Sequence, residues 1–188
     1  MIKLKVYHFI SDYKKGEIKN LDKKINIIYR NYNSVINEKD IKNIRNECKK
    51  TGKKLYISNS FMLARKFKLD GVYIPSFNKS LKVKYINNKK LDLIGSAHNL
   101  KEIRIKENQG ARSIFLSPIF KTDKSQNYLG IYRFNYLSKL SEKNIVALGG
   151  INEINLKKLK FIKCEGYASI TYLKNINRIK LIEWMQIK

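Results

Sequence analysis

Acidic residues are scarce: 15 Asp and Glu stand against 40 Lys and Arg in 188 residues, giving a net charge of +25 and a pI near 10.0. Such an excess by itself would point to nucleic acid or an anionic membrane, but the features those partners require are missing. No basic run is interleaved with stacking aromatics, and no Arg-rich tract is present to read bases or grip phosphates bidentately. The lysines are spread along the whole chain among abundant Ile and Asn, as expected of codon bias in a genome poor in G and C. Specific nucleic-acid binding is therefore not expected, and any polyanion affinity would be a side effect of charge. No apolar stretch approaches the roughly 18 residues of a membrane span, and MIKLKVYHFI at the amino terminus is too short and too charged for a signal peptide. Soft ligands are few: Cys48, Cys164, His8 and His98, with no Cys-x-x-Cys spacing. That argues against a structural metal site and for a reducing compartment. The expectation is a cytoplasmic, soluble protein with no membrane partner, with homo-oligomerisation left open.

What is present is an alternation of short apolar runs and amphipathic segments. At this length a single domain spanning 1–188 is expected, at the short limit for an eight-stranded barrel. Strands are read at 3–10 (KLKVYHFI), 25–30 (INIIYR), 54–58 (KLYIS), 70–75 (DGVYIP), 91–98 (LDLIGSAH), 113–117, 144–148 and 165–170 (EGYASI). Between them, Ile41, Ile44 and Cys48 form the apolar face of a helix over 38–51 closed by Gly52, and Ser60 starts another through FMLARKF. Residues 100–109, the segment FNYLSKLSEK, and a final amphipathic stretch to Trp184 are also read as helix. The link after the first strand reads as short and polar, KSLKVKYINN as a basic segment, and KTDKSQNYLG as the longest irregular stretch, a candidate substrate-covering loop.

This pattern favours a parallel α/β fold, with a doubly wound open sheet as the rival to a closed (β/α)8 barrel. The barrel is preferred because polar residues recur at the carboxyl ends of many strands: Arg30, Asn59, Ser96, His98, Ser117 and Thr122. Two glycine turns join them. In NIVALGGI, Gly149 and Gly150 follow a buried strand directly, and the next residues, INEINL, read as the start of a helix whose free N–H groups would add positive potential. A second such turn follows at GYASIT, residues 166–171. The pair places an anion site after strands seven and eight, where (β/α)8 barrels commonly bind phosphate.

The ordered set DGVYIP, SAH, GARSIFLSPIFKTDKS with a following LG, ALGGI and GYASI resembles the thiamine phosphate synthase and TenI family of small TIM barrels, over nearly the whole chain. The resemblance implies a thiazole phosphate held by Gly149, Gly150, Ile170, Thr171 and Thr122. From the residues alone, a loop-capping hydroxyl is the preferred reading of Thr122. For the rest of the substrate it implies Arg30, Asn59, Ser96, Ser117 and Lys124. In the synthases a pyrimidine diphosphate with magnesium is bound by a Gln-x-Arg-x-Lys motif, an Asn-Asp pair and a further Asp. Here those positions read Ile28, Arg30, Tyr32, then Ser58-Asn59, then the neighbourhood of Asn78. Magnesium prefers charged oxygen ligands, so these departures weaken diphosphate displacement more than thiazole phosphate binding. TenI-type relatives isomerise a thiazole carboxylate phosphate with a histidine at the Ser-x-His position, which here is His98. Isomerisation by His98 without metal is the favoured expectation. Synthase chemistry with magnesium is the alternative, and a silent phosphate-ligand binder the second. His8, in the middle of the first strand, reads as structural.

Overall fold

Eight parallel strands close on themselves in sequence order: β1 (Lys5–Ile10), β2 (Ile25–Tyr29), β3 (Leu55–Ser58), β4 (Gly71–Ile74), β5 (Asp92–Ala97), β6 (Ser113–Leu116), β7 (Asn144–Leu148) and β8 (Gly166–Ser169). The ring is sealed where β8 pairs with β1, Val6 opposite Tyr167 and Tyr7 opposite Ala168. This computed structural model describes residues 4–32, 36–86, 91–123 and 125–169. The expected (β/α)8 barrel is therefore observed.

The strands are buried on both faces, which is why they read as continuous apolar runs. Their alternation sorts two cores. Tyr7, Phe9, Ile28, Tyr56, Tyr73, Ile94, Phe115, Val146, Leu148 and Ala168 point into the barrel. Tyr73 meets Phe9 edge-on at 5.2 Å and Phe115 at 5.7 Å. These rings fill the interior, so the barrel is a packed core with no pore. The intervening Val6, Ile27, Ile57, Val72, Ile74, Ile114 and Ala147 face the outer helical layer. The amino-terminal end of the barrel is closed by polar pairs: Glu165 with Lys5 and Ser113, and Asp92 with Arg112 at 2.6 Å and the Tyr56 hydroxyl at 2.8 Å.

Helix α1 (Glu17–Asn20) is a single turn in the link read as short and polar, and α4 (Val83–Ile86) is a single turn within the basic segment. The others are α2 (Glu38–Thr51), α3 (Phe61–Lys66), α5 (Leu100–Asn108) and α6 (Gly130–Leu140). Asn37, Ser60 and Asn99 cap α2, α3 and α5 with side-chain oxygens, and Gly52 ends α2 at φ 67°. Two differences from the sequence reading bear on the site. Helix α6 begins at Gly130, four positions before Phe134, because Pro118 O and Ile119 O accept from Leu129 N–H and Gly130 N–H and so fix its start. The expected helix after β7 is absent. Asn152 Oδ1 accepts from the N–H groups of Ile154 and Asn155, folding an Asx turn, and only a 3₁₀ segment follows at Leu156–Phe161. The helix expected to reach Trp184 lies outside the described residues.

Candidate functional site

At the carboxyl end of the barrel the strands deliver Arg30, Asn59, Pro75, His98, Ser117 and the Gly149-Gly150 turn to one rim. Arg30 is pinned first by its backbone, whose N–H donates to Ile10 O at 2.8 Å. Its guanidinium then lies over the Phe9 ring at 4.5 Å and the Tyr32 ring at 5.6 Å, a stacked arrangement that holds a planar cation without a carboxylate. Below it lies the buried Tyr73 phenol, with Ser96 and Arg30 as its polar neighbours. Burial pushes the Tyr73 phenol up to about 12, against the opposing pull of those two partners. The phenol is thus neutral over the physiological range, and it lies between Arg30, just after β2, and Ser96 on β5. Arg30 and Ser96 were named from the sequence as candidate substrate contacts. Tyr73, which brings them together, was missed; its inward register on β4 was the available signal.

A second cluster sits beside it. Tyr32 packs edge-on against Phe77 at 5.7 Å, and its hydroxyl is 3.2 Å from Ser58 Oγ. Both rings are largely exposed, 53% for Tyr32 and 62% for Phe77. Asn59, at φ 55°, donates its N–H to Tyr73 O, and its Oδ1 accepts from Asn78 Nδ2 at 2.6 Å. Where the resemblance implies an Asn-Asp pair and a further Asp, then, Ser58, Asn59 and Asn78 are neutral and bonded to their neighbours. No group of three His, Cys, Asp or Glu side chains suited to a metal ion occurs among the described residues.

The Gly149-Gly150 turn has φ values of 92° and 69°, as a strand-end double glycine should. Its carbonyls are all directed to internal donors. Leu148 O accepts from Ile119 N–H, Gly149 O from Phe120 N–H, and Gly150 O from Asn155 Nδ2 at 2.5 Å. The turn is therefore stapled to the segment after β6. A Cβ on Gly149 would come within 2.8 Å of Pro118 Cβ, and one on Gly150 would strike the carbonyls of Phe120 and Lys121. Close packing, and not only an approaching ligand, demands glycine here. With no α-helix after β7, the helix-dipole contribution expected from INEINL is not available. Ser117 is buried and donates its N–H to Ala97 O.

Thr122 closes its own loop. Its Oγ1 accepts from Ser125 N–H at 3.1 Å and its N–H donates to Ser125 O at 3.2 Å, the capping arrangement of a polar turn. Between this loop and the turn after β7 lies a cavity of about 730 Å³ lined by Lys121, Thr122, Gln126, Tyr128, Asn155 and Lys158 among others. Ile170, Thr171 and Lys124 lie outside the described residues. His98 stands on the rim with its side chain 48% exposed, and both its N–H and its Nδ1 bond to Glu102 Oε2 at 2.8 Å. The structure does not join it to the Arg30 cluster by any hydrogen bond. His8 is buried, with Nδ1 3.2 Å from Ser169 O across the β1–β8 seam, as a structural residue should be.

A sequence model of the family described as Thiamine monophosphate synthase matches residues 25–173. The chain is 28% identical over 127 residues to the thiamine-phosphate synthase of Methanococcus vannielii, covering 66% of this chain and 61% of that relative. It is 31% identical over 137 residues to the thiamine-phosphate synthase of Prochlorococcus marinus, covering 70% of this chain and 39% of that relative. These matches thus span less than two thirds of the relatives' own length. Among solved structures, thiamine phosphate pyrophosphorylase from Pyrococcus furiosus superposes with a TM-score of 0.79 over 98% of this chain and 96% of that one, at 18% identity, a likeness of fold.

Proposed function

This chain belongs to the thiamine monophosphate synthase family, and on that premise we propose that it joins a pyrimidine-methyl diphosphate to a thiazole phosphate, forming thiamine phosphate. The thiazole nitrogen lone pair forms a C–N bond to the pyrimidine methylene, while the methylene C–O bond breaks and its electron pair leaves with diphosphate. This reverses the order of preference drawn from the sequence, because the relatives carry the synthase name and because Arg30 supplies what that reaction needs.

Arg30 is the observation that carries the reading. Departure of diphosphate concentrates negative charge on the leaving oxygens, and a preorganised cation beside them lowers the barrier. The guanidinium held by Phe9, Tyr32 and Tyr73 is fixed before substrate arrives, so little reorganisation is needed. In this reading Ser96 orients Tyr73, while Gly149, Gly150, Thr122, Ile170 and Thr171 take the thiazole phosphate. Asn59 and Ser117 complete the pocket wall, and Lys124 is assigned to the same substrate from the sequence alone. Magnesium, when bound in such a reaction, offsets diphosphate charge. The neutral donors at Ser58, Asn59 and Asn78 do not fit it.

The second reading, a proton-shuttling isomerase, is favoured by one contact. Glu102 Oε2 at His98 Nδ1 would hold the proton there and leave Nε2 as a base. Mixing the purified protein with thiazole phosphate and pyrimidine-methyl diphosphate, with and without magnesium, separates the two. Thiamine phosphate is the expected product. Isomerisation of thiazole carboxylate phosphate with no thiamine phosphate formed would overturn the synthase reading.

A further inference from the structure

Lys106 has no exposed surface, an exceptional position for a cation; among the described lysines Lys53, at 6%, is the other buried one. It projects from α5 across the outer face of β5 at Gly95, where an added Cβ would lie 2.8 Å from Lys106 Cδ. Glycine at 95 thus leaves the groove that the aliphatic stem occupies. Beyond the strand, Nζ donates to Pro75 O at 2.7 Å, Asn78 O at 2.7 Å and Gln109 Oε1 at 2.9 Å. All three ammonium hydrogens are met, each by a neutral oxygen. Gln109, also without exposed surface, donates from Nε2 to Asn78 O at 2.9 Å and Ser80 O at 3.0 Å. The donors of two side chains one helical turn apart thus converge on the carbonyls of the connection after β4.

That connection carries Phe77 and Asn78 to the mouth, Phe77 against Tyr32 and Asn78 against Asn59. We propose that Lys106 and Gln109 are positioning residues, a buried ammonium-amide clamp that sets the loop after β4 and thereby the Phe77 and Asn78 side of the substrate mouth. Loop carbonyls at a strand end otherwise turn to water and leave the loop several conformations. Here an internal cation takes those carbonyls. Because it stays inside the protein in every state of the cycle, the loop keeps its geometry whether or not substrate is bound. The inference rests on the mouth being the pyrimidine side of the proposed reaction.

The test uses Lys106→Met, which keeps the stem and removes the ammonium, and the double variant Gly95→Val with Lys106→Ala, which refills the groove over β5 without a donor. For each, circular dichroism establishes the fold, hydrogen exchange reports residues 76–80, and steady-state kinetics vary each substrate in turn. The expected result is a folded barrel with exchange at 76–80 faster by about 10-fold or more. With it, KM for the pyrimidine diphosphate rises about 10-fold while KM for thiazole phosphate and kcat hold within about 2-fold. Parental exchange at 76–80 in either folded variant would overturn the clamp, and faster exchange with both KM values unchanged would overturn its positioning role. If the parent forms no thiamine phosphate, the proposed reaction fails while the exchange result still decides the clamp.

Discussion

Replacing Gly150 by alanine separates two reasons for glycine at the turn after β7. The residue sits at φ 69°, and its Cβ would meet the carbonyls of Phe120 and Lys121. The left-handed backbone costs an L residue roughly 1–2 kcal/mol, and forcing atoms into a packed contact costs about 1–3 kcal/mol more. The sum is about 2–5 kcal/mol. Gly16 provides the control, since it has φ 81° with nothing within 4 Å of an added Cβ, so Gly16→Ala should show the backbone cost alone. Urea unfolding of both variants gives the difference directly, with Gly150→Ala expected to be less stable than Gly16→Ala by at least about 1 kcal/mol. The Ile119 and Phe120 N–H bonds to Leu148 O and Gly149 O tie that strain to the loop bearing Thr122, so the affinity for thiazole phosphate should fall with stability. Equal destabilisation of the two variants would refute the packing argument and leave ligand approach as the reason for glycine at 150.

Stability should climb as pH rises from about 8 toward 10. Burial lowers the Lys106 pKa from 10.5 to about 8, so in that window the unfolded chain holds a proton the folded one has released. Each unit is worth about 1.4 kcal/mol, but the three bonds accepted from Nζ favour the cation, so about 1–2 kcal/mol is expected. Above pH 10 the sign reverses, because burial raises the phenols of Tyr7, Tyr56 and Tyr73 and the folded state keeps protons that the unfolded chain loses. Denaturation midpoints measured from pH 7 to 11 check both limbs, and a flat or falling curve from 8 to 10 would contradict the first. At the mouth, Arg30→Ala should cut thiamine phosphate formation by roughly 100-fold or more, whereas His98→Asn should change it only a few fold. In an isomerase assay the order should invert, with His98→Asn costing roughly 100-fold; an unaltered isomerase rate in His98→Asn would end the role of that base.

Much of the barrel was legible because local chemistry and tertiary packing agree there. Asn37, the Ile41, Ile44 and Cys48 spacing and Gly52 define α2 at the residues expected, and each strand is a buried run closed by a polar residue, Gly or Pro. Legibility ended where a long-range bond outweighed a local preference. Gly130 reads as a helix breaker, yet it opens α6 because Ile119 O receives its N–H. INEINL carries an apolar spacing suited to a helix, yet Asn152 and Asn155 use their side chains on nearby backbone groups and fold a turn instead.

The site was legible in outline for a different reason, and the same reason hid part of it. Polar residues at strand ends stand out against apolar runs, so Arg30, Ser96 and Asn59 could be named. Tyr73 could not, because a tyrosine inside a strand reads as packing until its phenol is placed beside Ser96 and Arg30. Lys106 was harder still. In a chain with 40 Lys and Arg, one more lysine on a helix carries no signal, and Ile103 three positions earlier makes the buried face look merely apolar. What distinguishes it is a pairing that sequence does not display, Gly95 on the neighbouring strand making room and the carbonyls of 75 and 78 supplying acceptors. A charge excess that is featureless in composition thus becomes specific only where packing removes water. Arg30 and Lys106 show this in two ways: one cation stacked over rings at the barrel rim, the other sealed behind β5 with two backbone carbonyls and the Gln109 amide oxygen as its acceptors.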